Sequence, residues 1–235
     1  MSPLRASPGP RGLAGAALSA AGSWLLEPAD PEPVTTARAA GPRPVIAVFG
    51  LAPGCGSTVV ARALAAELGA RDPAGAAAVS CDLPGSGMAV ATPAATRLAR
   101  SLADVPRAAT RAVGRLCLVA GADALALADC ARHFAPLVLD AGSAALGGRS
   151  AALADCMVLV ASGATEPALA PVAAACLARV GPEPLLVLNG PETGRWSGRA
   201  AVTLPRSRMG AQLALGGREP RGELGRAVAR LADLV

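Results

Sequence analysis

The chain has 235 residues, 52% of them hydrophobic but only 2% aromatic, and a formal net charge of +5. That length suits one buried core plus a tail. All 22 basic residues are arginine and tyrosine is absent, which excludes chemistry that needs a lysine amine or a tyrosine phenol. No uncharged apolar run reaches the roughly 18 residues that a membrane-spanning helix requires, so no transmembrane segment is expected.

Residues 1 to about 43 carry seven prolines and no period that would sustain a strand or long helix, and they read as a disordered tail. Within the tail, Leu13 to Leu26 follows Arg5 and Arg11 and superficially resembles a signal peptide, but Gly and Ser interrupt it. Its Trp24-Leu25-Leu26 segment is a candidate anchor for a protein partner or a membrane surface; a solvated tail is the plainer alternative.

From Val45 short apolar runs alternate with helical segments. The pattern predicts a strand at 45–50, a helix from about 57 to 70, a strand at 76–81 ending at Asp82, helices at about 92–103 and 106–114, and a strand at 115–119. There follow a helix at 122–133, strands at 136–140 and 156–161, a helix at 165–179, strands at 184–188 and 200–203, and a last helix at 222–234. The glycine-rich stretch 141–155 reads as a switch loop or a flexible connection. The fold class expected is α/β: a mostly parallel, doubly wound sheet of about seven strands with helices on both faces, spanning 44–235.

Ligands of such sheets bind where strands end, and the informative residues fall there. After the first strand comes Gly50-Leu-Ala-Pro53-Gly54-Cys55-Gly56-Ser57-Thr58-Val59. Glycines let a backbone take positive φ and approach a ligand closely, and the first N–H groups of the following helix are unpaired donors suited to phosphate. Measured against the P-loop pattern G-x-x-x-x-G-K-[ST], Ser57 stands where lysine belongs, Leu51 where the first glycine belongs, and Thr58 fills the magnesium-binding hydroxyl position. Asp82, Asp140, Asn189 and Pro205 end later strands on the same edge.

Taken together these segments resemble the MinD/ParA group of P-loop ATPases. The family loop K-G-G-V-G-K-T is matched by Ala52-Pro53-Gly54-Cys55-Gly56-Ser57-Thr58, with both lysines replaced. Ala76 to Asp82, Leu137 to Asp140, Ala154 to Val160, Leu185 to Asn189 and Val202 to Pro205 are similar to successive family strands. The resemblance implies a cytoplasmic protein that binds ATP and Mg2+, with backbone N–H groups of 54–58 on phosphate and Thr58 on magnesium. It further implies Asp140 orienting magnesium through water, Asp82 positioning the attacking water, and Asn189 and Pro205 at the adenine. A nucleotide-dependent homodimer and a positioning or regulatory switch also follow from it, with hydrolysis weak or lost.

Two rivals stay open. A pseudo-ATPase would keep the fold to display surfaces: Arg97, Arg100, Arg107, Arg111 and Arg115 cluster against Asp104 alone and form a candidate patch for DNA or anionic membrane, with a solvated basic face as the alternative. The spacing Gly50-x-x-x-Gly54-x-Gly56 also suits a dinucleotide-binding protein, without dehydrogenase catalysis because tyrosine and lysine are missing.

Smaller features have plain readings. The apolar face Leu224, Val228, Leu231 and Val235 of the last helix is expected to pack on the sheet, with membrane targeting as the rival. His133 is alone and suggests no metal site. The six cysteines form no C-x-x-C pair, and those at 117, 130, 156 and 176 fall in apolar patterns and read as buried reduced thiols. Cys55 sits in the loop and is either a reactive thiol at a helix start or an inert one tucked beneath it.

Overall fold

The computed structural model describes residues 43–79, 90–103, 109–120, 135–144, 148–192 and 194–235. All belong to the unit Arg38–Val235. The expectations for residues 1–42, Asp82, Arg107, the helix 122–133, His133, Cys81 and Cys130 lie outside the described residues.

The first strand, β1 (Val45–Gly50), is buried at every position, as a strand covered on both faces must be. It leads through the glycine loop into α1 (Ser57–Arg71) and returns as β2 (Ala76–Val79). Next come α2 (Pro93–Ala103), β3 (Ala109–Val113), β4 (Leu116–Ala120) and β5 (Leu137–Ser143). The chain continues through α3 (Gly148–Leu153), β6 (Cys156–Ser162), α4 (Leu169–Leu177), β7 (Leu185–Asn189) and β8 (Val202–Leu204). It ends with α5 (Arg208–Leu215) and α6 (Gly222–Ala232).

Among the described residues the sheet has eight strands in the order β3-β4-β2-β5-β1-β6-β7-β8, and only the β3–β4 pair is antiparallel. Alternation along each strand sorts the core into two layers. Ile46 and Val48 of β1, with Val138, Val158 and Val187, pack under α1, α5 and α6. Val45, Ala47 and Phe49, with Leu137, Leu139 and Met157, pack against α2, α3 and α4. Side chains at Asp140 and Asn189, two residues beyond Val138 and Val187, therefore belong to the α1 face.

Three expectations are corrected. The segment expected as a helix at 106–114 forms β3 over 109–113, because Gly114 turns at φ 54° and folds β3 back on β4. A side chain at Gly114 would stand 2.3 Å from the carbonyl oxygen of Gly217, so the hairpin tip docks directly on the α5–α6 connection. Arg111 is thus on an edge strand and Arg115 in the turn after it, so these two share no helix face. Within 141–155, β5 runs on to Ser143 and α3 follows from Gly148, so much of this stretch is regular structure. Of the thiols expected to be buried, Cys117 is buried and Cys156 half-buried, but Cys176 on α4 is exposed. The last helix packs as expected, with Leu224, Val228 and Leu231 buried.

Candidate functional site: the loop edge of the sheet

Between β1 and α1 the backbone turns at Gly54 (φ 77°) and Gly56 (φ 89°), the left-handed region that favours glycine. The N–H of Leu51 still bonds the carbonyl of Val160 at 2.8 Å, extending the β1–β6 ladder, before the chain leaves the sheet. Gly56 stands at the N-cap of α1, and the helix has no side-chain cap. The first helical bond is from Val60 N–H to Gly56 O, 3.0 Å, so the N–H groups of Ser57, Thr58 and Val59 precede the helical ladder and point out of its positive end.

Gly56 is required for a second reason. The amide of Asn189, at the end of β7, lies directly against it: a Cβ at Gly56 would meet Asn189 Nδ2 at 2.1 Å. That Nδ2 donates to the carbonyl oxygen of Cys55 at 2.8 Å. A residue far along the chain thereby ties the end of β7 to the loop, and its Oδ1 is left as an acceptor. Beneath the loop, a Cβ at Gly50 would meet Cys55 Sγ at 2.9 Å and Ser57 Oγ at 3.2 Å. Cys55 is only 2% exposed, so its thiol is tucked under the turn. Pro53 and Gly54 are exposed at the rim, while Ser57, Thr58 and Val59 are half-buried.

Asp140 pairs across from Val48 on β1 and faces α1. Its Oδ1 is buried without a hydrogen-bond partner, an arrangement that leaves a carboxylate oxygen for a cation or its water. Also on α1, one turn beyond Thr58, Arg62 is 2% exposed. Its Nη1 donates to the carbonyl of Leu215, the last residue of α5, at 3.1 Å. Burial lowers the guanidinium's affinity for its proton, and the negative charge of Asp140 works in the opposite direction. Sequence reading passed over Arg62 because a lone arginine in an alanine-rich helix looks like a solvated one.

Beside the loop a groove of about 220 Å³ opens between α1, β8, α5 and α6. Its walls are apolar, including Val59, Leu204 and Val228, and its polar rim is Asn189, Arg206, Ser207 and Arg208. Pro205 also lines it. The Ser207 side chain caps α5 by accepting from Gly210 N–H at 2.9 Å. The groove thus gathers Val59, Asn189 and Pro205, three residues singled out from sequence, and adds two arginines that were not. The signal was present: in a chain without lysine, Arg206 and Arg208 directly follow the Leu204-Pro205 strand end.

The loop after β7 contributes a small apolar cluster of its own. Trp196 is fully buried against Ala161, Ala170 and Leu188, and its indole N–H donates to the Thr165 carbonyl at 3.2 Å.

Among solved structures, a ParA family ATPase from Chlorobium tepidum superposes with a TM-score of 0.56 over 82% of this chain and 100% of its own, at 16% identity. The fold is that of the MinD/ParA P-loop ATPases. MinD in a MinC:MinD complex from Aquifex aeolicus gives a TM-score of 0.58 at 12% identity, over 82% of this chain and 95% of that one. A putative plasmid partition protein from Borrelia burgdorferi bound to AMPPNP gives 0.55 at 11% identity, over 83% and 99%. No family model and no curated protein sequence matches the chain. Among the described residues no helix is long and apolar enough to cross a membrane, and no group of three or more His, Cys, Asp or Glu side chains is placed to hold a metal ion.

Proposed function

We propose that this MinD/ParA-like chain is a cytoplasmic adenine-nucleotide-binding switch that binds with Mg2+ and hydrolyses ATP weakly or not at all. The observation that carries this reading is the juxtaposition of an uncapped helix start at Gly56 with an apolar groove, the two bridged by Asn189. Such a pair suits a ligand with phosphate at one end and a flat base at the other.

In this reading the N–H groups of 54–58 receive phosphate, and the base enters the groove beside Val59 and Pro205. Asn189 keeps its Nδ2 on the loop carbonyl and offers Oδ1 to the exocyclic amine of adenine, a donor. The residues present fit a hydrated magnesium ion, because Thr58 supplies a hydroxyl and the buried Asp140 Oδ1 has no other partner. When bound, the ion would neutralise phosphate charge. Asp82 positions the attacking water in any residual hydrolysis, a role that rests on the sequence resemblance.

Weak hydrolysis follows from Ser57 and Ala52, which stand where the family's lysines would stabilise the charge developing on the transferred phosphoryl group. The same observation favours a second reading, a pseudo-ATPase that retains the fold to display a surface. Arg97 and Arg100 on α2 and Arg111 on β3 are exposed on elements joined by Thr110 Oγ1 donating to the Ala99 carbonyl at 3.1 Å, which suits DNA or an anionic membrane. A MinD structure with MinC motivates a protein partner for this chain, and nucleotide-dependent homodimerisation remains part of the proposal.

Calorimetry with ADP and ATP tests the choice. The nucleotide reading predicts binding in roughly the tens of micromolar, since a lost charged contact weakens affinity by a few kcal/mol. It also predicts tightening by Mg2+ that Asp140→Asn removes. No heat at millimolar ATP, with DNA or anionic vesicles bound at low salt, would select the pseudo-ATPase. Tighter binding of NADH than of ADP would select a dinucleotide.

A further inference from the structure

The groove carries its charge at an unusual place. At the loop end Ser57 and Ala52 stand at the lysine positions, and Arg62 on α1 donates to the Leu215 carbonyl. The rim at the other end has two arginines, Arg206 and Arg208, and no acidic residue lines the groove. Arg206 lies across Gly190, where a Cβ would meet its Nε at 3.2 Å; Gly190 follows Asn189, so this guanidinium is held next to the residue proposed to meet the base. Arg208 is the first residue of α5, and Ser207 between the two is committed to capping that helix. Both arginines are exposed, and among the described residues neither forms an ion pair. Two unpaired guanidinium forks flanking a capped turn are suited to an anion with several oxygens.

We infer that the site is built for an adenine nucleotide that carries a second phosphate on its ribose, with the loop N–H groups on the 5′-phosphate and Arg206 and Arg208 on the ribose phosphate. This inference rests on the nucleotide reading above. It gives the two arginines the role of specificity residues: they select where on the nucleotide the charge stands, and the apolar walls receive the base.

The test compares three ligands with two phosphates each, so that the number of phosphates is held and their placement is varied: ADP, adenosine 2′,5′-bisphosphate and adenosine 3′,5′-bisphosphate. Calorimetry on the full chain should find one ribose-phosphorylated isomer bound about ten-fold more tightly than ADP, as expected for one charged contact at an exposed rim. The double variant Arg206→Gln/Arg208→Gln should abolish the preference, so that it binds that isomer and ADP equally, and Arg206→Lys/Arg208→Lys should recover part of the preference. Circular dichroism confirms that the variants fold. ADP bound as tightly as either isomer, or a preference that survives the glutamine variants, overturns this inference and leaves the nucleotide reading standing. Binding of none of the three removes both.

Discussion

On the α1 side of the sheet, α1, α5 and α6 interlock through apolar burial and through Arg71, which donates to Glu67 at 2.9 Å, to Asp233 at 2.6 Å and to the Ala229 carbonyl at 3.1 Å. On the opposite side α4 buries only Ala170 and Leu177, and Leu169 and Val172 stand 49% and 62% exposed. Both faces draw on the same alanine-rich composition. The difference is that the α1 face carries the loop, the groove and Asp140, and its helices are tied together by buried side chains and Arg71, while α4 carries no candidate site residue.

The comparison is broken most severely at Arg62. Arg62→Ala should destabilise the fold by roughly 3 kcal/mol, because it opens a cavity and leaves the half-buried Leu215 carbonyl without its donor. Arg62→Met, which keeps most of the volume, should cost less. Urea denaturation curves of the two variants measure the gap. Equal losses would mean that the hydrogen bond to Leu215, and not the volume, decides the cost at this position.

Cys117 probes the other layer. Burial pushes its thiol up to about 12 from 9.0. Below pH 9 the thiol is protonated in folded and unfolded chains alike, and the stabilising effect is complete. Between pH 9 and 12 the unfolded chain sheds the proton and the folded one keeps it, so stability falls as pH rises, by an amount on the order of a few kcal/mol. Cys156, also pushed up by burial, contributes in the same direction. Cys117→Val should flatten the decline in a stability profile over that range, and an unchanged slope would show that the thiol takes no part.

Asn189→Ala should destabilise by about 1 kcal/mol, the ordinary worth of one hydrogen bond, and should raise amide exchange at Gly56 and Ser57 more than elsewhere. The smallest effect is expected on α4. Leu169→Ala removes a half-exposed side chain and should change stability by less than about 0.5 kcal/mol; a loss of several kcal/mol would show that the α4 face is covered in solution.

Much of this organisation is legible in the order of residues. β1, the loop and α1 announce themselves because a buried strand, glycines and a helical segment follow one another within a short stretch. Asp140, Asn189 and Pro205 stand out because each ends an apolar run. What was hidden depends on long-range pairing. β3 reads as a helix because Arg-Ala-Ala-Thr-Arg-Ala has helical composition, and only its docking on β4 makes it a strand. α5 was missed because Gly210 interrupts a short segment, although Ser207 and Gly216 mark its ends. No local pattern relates Asn189 to the Cys55 carbonyl or Arg62 to that of Leu215, since those bonds span 134 and 153 residues of sequence.

The central claim is that the glycine loop and the groove are two halves of one nucleotide site. Hydrogen exchange by mass spectrometry, with and without saturating Mg-ADP, tests it most directly. The account predicts slower exchange in two separate stretches, 51–60 and 204–215, with 169–180 unchanged. Protection confined to one of the two stretches, or none with nucleotide bound, would contradict it.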